Sequence, residues 1–491
     1  MRRNKLDGLM KKSFCIILNV IFACLYGGIF VSCACESKRE IEIVIISTND
    51  LHGHFQHLPA LSAVVNDARN NYKHVIVVDG GDRFTGNPYN DRYARPQYPI
   101  TDLMNHIGYD VMVIGNTEFN HGVELLNQRI IQSTSAAIIA NIDHEQSGLK
   151  NATPYHIIKT DGIKIAFLGL CNIESRTGKP AAIARHVENL VFYDPIETAL
   201  QYKKLREKVN VFVALTHIGL QHDRTLADSM PKLDLIIGSH CHTTMTEPEL
   251  RNGVTITQAG RYGRQIGKTI ITLRKGVVTN ITNELITLEN WAKPVDATII
   301  PRIREFQSNP FFFLPLVSLK HSIPNFMQLG YMMTDAAVAM VKEAEISIIN
   351  FAGIRIDSLS SRTPVTLGDI IRLSPFDNRL YIVRVTPAEL KTFLERRNCE
   401  MIPSGFIYET VKNPDGTLRV HRLMYPNGTQ LNENKLYNLA IDNFLYSRYL
   451  STIEAGRIIA TEHLVVDVVL DYLRNNPDVD YRNRPPRVTN L

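Results

Sequence analysis

Ile43-Val44-Ile45-Ile46-Ser47-Thr48-Asn49-Asp50-Leu51-His52 carries the pattern that decides the fold: an unbroken apolar run that ends in a cluster of amide, carboxylate and imidazole side chains. A continuous β-branched run, as opposed to an alternating one, suits a strand buried on both faces within an α/β domain. Further runs over 75–79, 111–114, 165–170, 211–216 and 235–237 predict more such strands, with helical spacing between them over 61–70 and 196–208. Four more clusters close strands in the same way: Gly80-Gly81-Asp82, Gly115-Asn116, Thr216-His217 and Gly238-Ser239-His240-Cys241-His242. Open α/β sheets collect ligands at the carboxyl ends of their strands, so these five clusters are expected to meet.

Their chemistry is that of a two-metal centre, which needs an anionic oxygen able to bridge two cations and further oxygen and imidazole donors on either side. Residues two apart on an extended strand end point the same way, which pairs Asp50 with His52 and His240 with His242. Glycines beside Asp82 and His240 let the chain turn sharply there. A lone histidine after a strand is ordinarily a hydrogen-bonded structural residue; it is the joint order of the clusters that points to metal. Cys241 lies between two of the histidines and is read as a small spacer, with a thiolate ligand as the alternative.

Beyond this unit, 254–258 and 269–273, with a Lys275-Gly276 turn before Val277, predict antiparallel strands that close the domain. A helical stretch over 294–307 is the linker candidate. A second unit follows, with a helix over 329–344, strands over 346–349, 380–385 and 436–441, and a closing helix over 464–473.

The 491 residues exceed one ordinary hydrophobic core and favour two or three domains. With 44% hydrophobic and 21% charged residues the composition is that of a globular protein. The net charge of +5 resides mostly in the first 32 residues, where five basic residues face Asp7. A near-neutral body offers no electrostatic basis for binding nucleic-acid polymers, so the expected partner is a small molecule. Lys11-Lys12 followed by an apolar run over 14–31 and Ser32-Cys33 reads as an export leader over 1–35. It resembles a bacterial lipoprotein signal with lipid on Cys33, the alternative being a retained anchor. Either places the body outside the cytoplasm, in the periplasm or cell envelope, touching membrane only through its N-terminus. Of seven cysteines, only Cys171, Cys241 and Cys399 lie beyond the leader, and no disulfide framework is indicated.

Taken together, the clusters resemble those of the calcineurin-like metallophosphoesterases, and within them the bacterial 5′-nucleotidase and UDP-sugar hydrolase family, over residues 41–475. The resemblance implies a four-layer α/β/β/α sandwich over 41–290, a linker helix over 294–310 and a smaller α+β substrate-binding domain over 315–480. It places Asp50, His52, Asp82 and His242 on one divalent ion and Asp82, Asn116, His217 and His240 on a second, bridged by Asp82. Zinc and manganese suit these donors alike. Asn350-Phe351-Ala352-Gly353-Ile354-Arg355 resembles the family's phosphate-facing turn, Ser374-Pro375-Phe376-Asp377-Asn378 its Pro-Phe-x-Asn turn, and Asp442-Asn443-Phe444 the segment whose Phe stacks on a base. Asn350, Arg355 and Phe444 are therefore the substrate candidates, with a surface salt bridge for Arg355 and a core role for Phe444 as the alternatives.

The sequence departs from the family where that family reads Gly-Asn-His-Glu-Phe followed by Asp or Asn. Here Thr117 replaces the histidine that helps the leaving oxygen depart, and Asn120 stands where many members carry Asp. A second departure follows Phe444, where Ser447-Arg448-Tyr449-Leu450 replaces Gly-Gly-Asp-Gly-Tyr. Three readings stay open: a phosphoesterase for substrates with good leaving groups, a slow nucleotidase, and a catalytically silent metal- and nucleotide-binding protein.

Overall fold

A computed structural model describes residues 40–491 apart from 176, 377, 397, 447–449 and 451–452. The leader, Cys33 and most of the Ser447–Leu450 departure thus lie outside the described residues, as does Asp377. Contacts divide the described residues into two compact units, one made of 40–51, 55–83 and 101–300, the other of 301–491 with 52–54 and 84–100.

Among the described residues, the first unit holds thirteen strands in two sheets. In the first sheet, β1 (Glu40–Thr48), β2 (Val75–Asp79), β3 (Val111–Val113), β4 (Ala136–Ile138) and β5 (Ala152–Thr153) run parallel. The second holds β6 (Tyr155–Thr160), β7 (Ile163–Cys171), β8 (Val211–His217), β9 (Leu235–Ile237), β10 (Glu249–Arg251) and β11 (Val254–Thr257). A hairpin of β12 (Gln265–Arg274) and β13 (Val277–Thr287) returns to the first sheet, antiparallel to β1.

Between the sheets lies a core of Ile43, Ile45, Ile76, Val78, Val111 and Val113 from one and Ile165, Phe167, Val211, Val213, Leu235 and Ile237 from the other. The intervening residues of β7 and β8, among them Ala166, Leu168 and Phe212, point outward to meet Ala199, Leu226 and Ala227 of the covering helices. Helix Leu58–Asn71 packs against β2 with Leu61, Val65 and Ala68 buried. These are the four layers expected, and burial on both faces explains why the strands lack alternation.

Three expectations need correction. The strand at 254–257 does not close the domain antiparallel; it extends the second sheet parallel to β9. Its antiparallel partner is β10, through the Asn252-Gly253 turn, both of whose residues have positive φ (50° and 82°) as a two-residue hairpin requires. The segment 196–208 splits into an α-helix Pro195–Gln201 and a 3₁₀ turn Lys203–Lys208. The linker helix covers only Ile300–Gln307. Asp296 explains the late start, because its carboxylate accepts from the Thr298 N–H (2.9 Å) and from Ser62 Oγ (2.6 Å), and its own N–H donates to the Pro59 carbonyl (3.0 Å). Such a local side-chain turn competes with helical pairing.

The second unit has a five-stranded sheet that includes Ile346–Asn350, Arg379–Val385 and Tyr437–Asp442. Helices Phe326–Met340 and Val465–Asn475 pack on each other in its main core. A bidentate pair between Arg487 and Asp335 (2.7 and 2.8 Å) fastens the C-terminal strand Val488–Asn490, with the guanidinium 4.5 Å from the Tyr331 ring. Among the described residues, no helix is long and apolar enough to cross a membrane.

Candidate metal centre

Four of the five polar clusters sit just past strand ends and Thr216-His217 closes β8 itself, but they do not converge in the way an extended chain would. Asp50, His52, Asp82, His240 and His242 have φ of 52°, 47°, 55°, 79° and 57°. Five of the seven candidate ligands are therefore in the left-handed region, which costs roughly 1 kcal/mol or more for each non-glycine residue. The expectation from strand-end alternation is corrected on this point: abrupt turns aim the side chains. Glycines make the room. A Cβ on Gly115 would lie 2.5 Å from Asp82 Oδ1, and one on Gly81 would lie 3.0 Å from His217 Nδ1.

Asp50, His52 and His242 offer donor atoms within 4.8 Å of one another, and so do Asp50, Asp82 and His217. Around the second group Asn116 Oδ1 lies 3.2 Å from His217 Nε2 and 3.1 Å from His240 Nδ1, and the two imidazole nitrogens are 3.3 Å apart. His217 Nδ1–H donates to the Gly80 carbonyl at 2.8 Å, and Nε2 faces Asp82 Oδ1 at 3.2 Å, where a proton or a metal ion would sit. Asn116 uses its amide N–H on the Ala181 carbonyl (3.0 Å), so its oxygen is turned inward. His52 likewise directs Nδ1 to the Thr85 carbonyl (2.9 Å).

Carboxylate, amide and imidazole acceptors gathered in a dry site need positive charge between them, from protons or from metal ions. Asp50 is fully buried and its Oδ1 has no hydrogen-bond donor. The donors present, two carboxylates, an amide oxygen and four imidazoles, fit a pair of divalent ions. Electrostatics agree. Burial opposes charge on His217, yet the Asp82 carboxylate raises it to about 10; burial and the charge of His217 push His240 down to about 4. Burial opposes charge on Asp50 too, but His242 draws it down to about 2.

The residue that ties the ligand loops together was not singled out from sequence. Glu118 is fully buried and accepts from the backbone N–H groups of Gly115 (2.7 Å), Asp82 (3.0 Å) and Arg83 (3.0 Å), with the Arg83 guanidinium 3.8 Å away. Its sequence signals are an acid three residues after the strand-end glycine and the match to the Glu of Gly-Asn-His-Glu-Phe, neither of which states its role. Removing it strands buried donors at about 1–3 kcal/mol each. Glu118→Ala is thus expected to lower unfolding free energy by about 3 kcal/mol or more in urea titration, with Glu118→Gln losing distinctly less; equal stability of Ala and wild type would contradict this role.

Thr117 is 5% exposed and opens the 3₁₀ turn Thr117–His121, its N–H donated to Asp82 Oδ1 at 2.8 Å. Asn120 Oδ1 accepts from the Ile183 N–H at 3.1 Å. His121 is half-buried, and burial together with neighbouring His186 pushes it below the ordinary imidazole range. Cys241 Sγ accepts from the Leu220 N–H (3.3 Å) and meets Thr243 and Gln258; it belongs to neither ligand group.

In the second unit, Asn350 ends a strand and is buried, while Arg355 is half-buried with its guanidinium 5.0 Å from the Phe376 ring centre. Phe444 is half-buried against the core, in a short helix Asn443–Leu445 whose N-terminus Asp442 caps by accepting from the Leu445 N–H (2.8 Å). Burial raises the Asp442 carboxyl from 3.8 to about 6. A raised carboxyl contributes stability below its unfolded value and loses it as pH climbs through the folded one. Asp442→Asn is therefore expected to gain on the order of 3 kcal/mol relative to wild type between pH 4 and pH 7 in urea unfolding. A difference independent of pH would refute it.

Residues 43–244 match the calcineurin-like phosphoesterase family, and residues 323–448 match the 5′-nucleotidase C-terminal domain. The chain joins these two domains. By that family it is a metal-dependent phosphoesterase. The phosphoesterase is 27% identical to the trifunctional nucleotide phosphoesterase YfkN of Bacillus subtilis, over 82% of this chain but only 32% of that protein's length. It is 25% identical to a 5′-nucleotidase of Vibrio cholerae, covering 92% of this chain and 93% of the other. A 5′-nucleotidase precursor of Thermus thermophilus superposes with a TM-score of 0.79 at 21% identity, over 92% of this chain and 99% of that one, and so shares its fold.

Proposed function

We propose that this chain is an exported, dinuclear-metal phosphoesterase of nucleotides and related phosphate esters and anhydrides, favouring substrates whose leaving group departs without a proton. One observation carries this reading: Thr117 occupies the position of the family's acid while the ligand set around it is complete. When bound, the metal pair supplies Lewis-acid charge and an activated water. The ligands proposed are Asp50, His52, Asp82, Asn116, His217, His240 and His242. A threonine hydroxyl cannot protonate an alkoxide near neutral pH, so aid worth roughly 10²–10⁴ in rate is absent. His121 is a poor replacement, since burial keeps it neutral.

Asn350 and Arg355 are assigned to phosphate and Phe444 to the base, within a substrate domain over 315–480. Arg355, stacked on Phe376, presents a planar fork suited to two phosphate oxygens. The YfkN and Vibrio relatives are both named for action on nucleotides, which supports nucleotides as the substrate class. Export with lipid on Cys33 is part of the proposal and rests on the leader sequence.

The test is an assay of Mn²⁺- or Zn²⁺-loaded protein against AMP, UDP-glucose, ATP and p-nitrophenyl phosphate. Turnover of ATP and the aryl ester with little on AMP supports the proposal. AMP hydrolysis matching that of the aryl ester refutes the leaving-group preference, and no turnover at all favours the silent binding protein.

A further inference from the structure

We propose that Arg261 is a specificity-determining residue that holds a second phosphoryl group, the one next to the group being transferred, so that the site selects phosphoanhydrides such as nucleoside di- and triphosphates. The inference rests on the phosphoesterase reading above and adds the contact that would read substrate charge.

The placement of Arg261 is built into the backbone on both sides. Gly260 donates its N–H to the Thr243 carbonyl (3.0 Å), and its carbonyl accepts from Asn49 Nδ2 (2.6 Å). Its φ of +75° and the 2.8 Å approach a Cβ would make to Thr244 Oγ1 reserve that position for glycine. Tyr262 donates its N–H to the Asp50 carbonyl at 2.9 Å and is buried at a φ of 62°, a conformation rare for an aromatic residue. Arg261 is thus fixed between the loops that carry His242 and Asp50.

Its guanidinium lies 4.8 Å from the Tyr262 ring centre, with Nη1 3.3 Å from His242 Nδ1. Arg264, near the same ring at 5.8 Å, has Glu289 at 3.9 Å. Among the described residues, Arg261 has no carboxylate within ion-pair distance. His242 Nε2 is the nitrogen facing Asp50 Oδ1, at 3.4 Å. A neutral imidazole that ligates through Nε2 carries its proton on Nδ1, and an N–H there cannot accept from Arg261. The Arg261 guanidinium thus stands beside the ligand set, where its planar fork can hold two phosphate oxygens.

A phosphoanhydride also fits the absence of an acid at Thr117. In its hydrolysis the water oxygen bonds to the transferred phosphorus, and the P–O bond to the bridging oxygen breaks with its electron pair leaving on the second phosphate. The water proton passes to solvent. The departing phosphate needs charge stabilisation, not protonation, and a guanidinium that never deprotonates supplies it.

The experiment compares wild type, Arg261→Ala and Arg261→Lys on ATP and p-nitrophenyl phosphate. It also measures calorimetric binding of methylenediphosphonate and methylphosphonate to Mn²⁺-loaded protein. Arg261→Ala is expected to lower the ratio of kcat/KM for ATP over that for the aryl ester roughly tenfold to hundredfold, with Arg261→Lys between it and wild type. It should weaken the diphosphonate by a similar factor relative to the monophosphonate. An unchanged ratio together with unchanged relative binding overturns the proposal. If wild type turns over neither substrate, the phosphoesterase reading fails by itself, and the binding comparison still decides the role of Arg261.

Discussion

Thr117→His is expected to raise kcat for AMP by roughly 10²-fold while changing turnover of p-nitrophenyl phosphate far less. An alkoxide leaving group requires a proton in the transition state, whereas a nitrophenolate does not, so restored acid help appears only with the former. The substitution keeps the backbone contact at this position, since any residue there can donate its N–H to Asp82 Oδ1. Room is the main constraint, as Thr117 is only 5% exposed, and a thermal melt of the variant separates packing damage from chemistry. Asn120 is now engaged with the Ile183 N–H; adding Asn120→Asp keeps that acceptor and supplies an anionic partner for an imidazole. The double variant is therefore expected to exceed the single one. Equal gains on AMP and the aryl ester would show that Thr117 does not limit leaving-group departure.

The largest loss is expected from Asp82→Asn, which removes the anionic oxygen assigned to bridge the ions. Turnover of every substrate should fall roughly 10³-fold or more, with bound metal dropping from about two ions per chain toward one after dialysis. Asp82 is 3% exposed and takes the Thr117 N–H, contacts an isosteric amide oxygen can preserve, so folding is expected to survive. Retention of full metal content together with full activity would remove Asp82 from the centre.

The parts of this fold that could be read from sequence share one physical property. β1, β2, β7 and β8 are buried on both faces and so appear as unbroken apolar runs, and the polar clusters stand at or just past the ends of β1, β2, β3, β8 and β9. What escaped was geometry that leaves no compositional mark. The left-handed turns at Asp50, His52, Asp82, His240 and His242 occur at residues that elsewhere adopt ordinary conformations. Glu118 reads as one acid among many until its three backbone donors are seen. Allocation of strands between sheets was likewise hidden, since 254–257 and 265–274 have similar apolar patterns yet join different sheets. In the second unit Ile407–Lys412 pairs with Leu418–Met424 across a register shift between Glu409 and Thr410, and such a bulge disrupts the alternation that marks a hairpin.

The central claim is that the metal ligands are complete and the acid is missing, so that rate follows leaving-group stability. Its most direct test is kcat/KM for a series of aryl and alkyl phosphates, plotted against the pKa of the leaving alcohol. The account predicts a steep negative slope that continues through the alkyl esters, with AMP at the bottom, and a shallower slope in Thr117→His. A flat line in the wild-type enzyme, with AMP cleaved as readily as p-nitrophenyl phosphate, would contradict it.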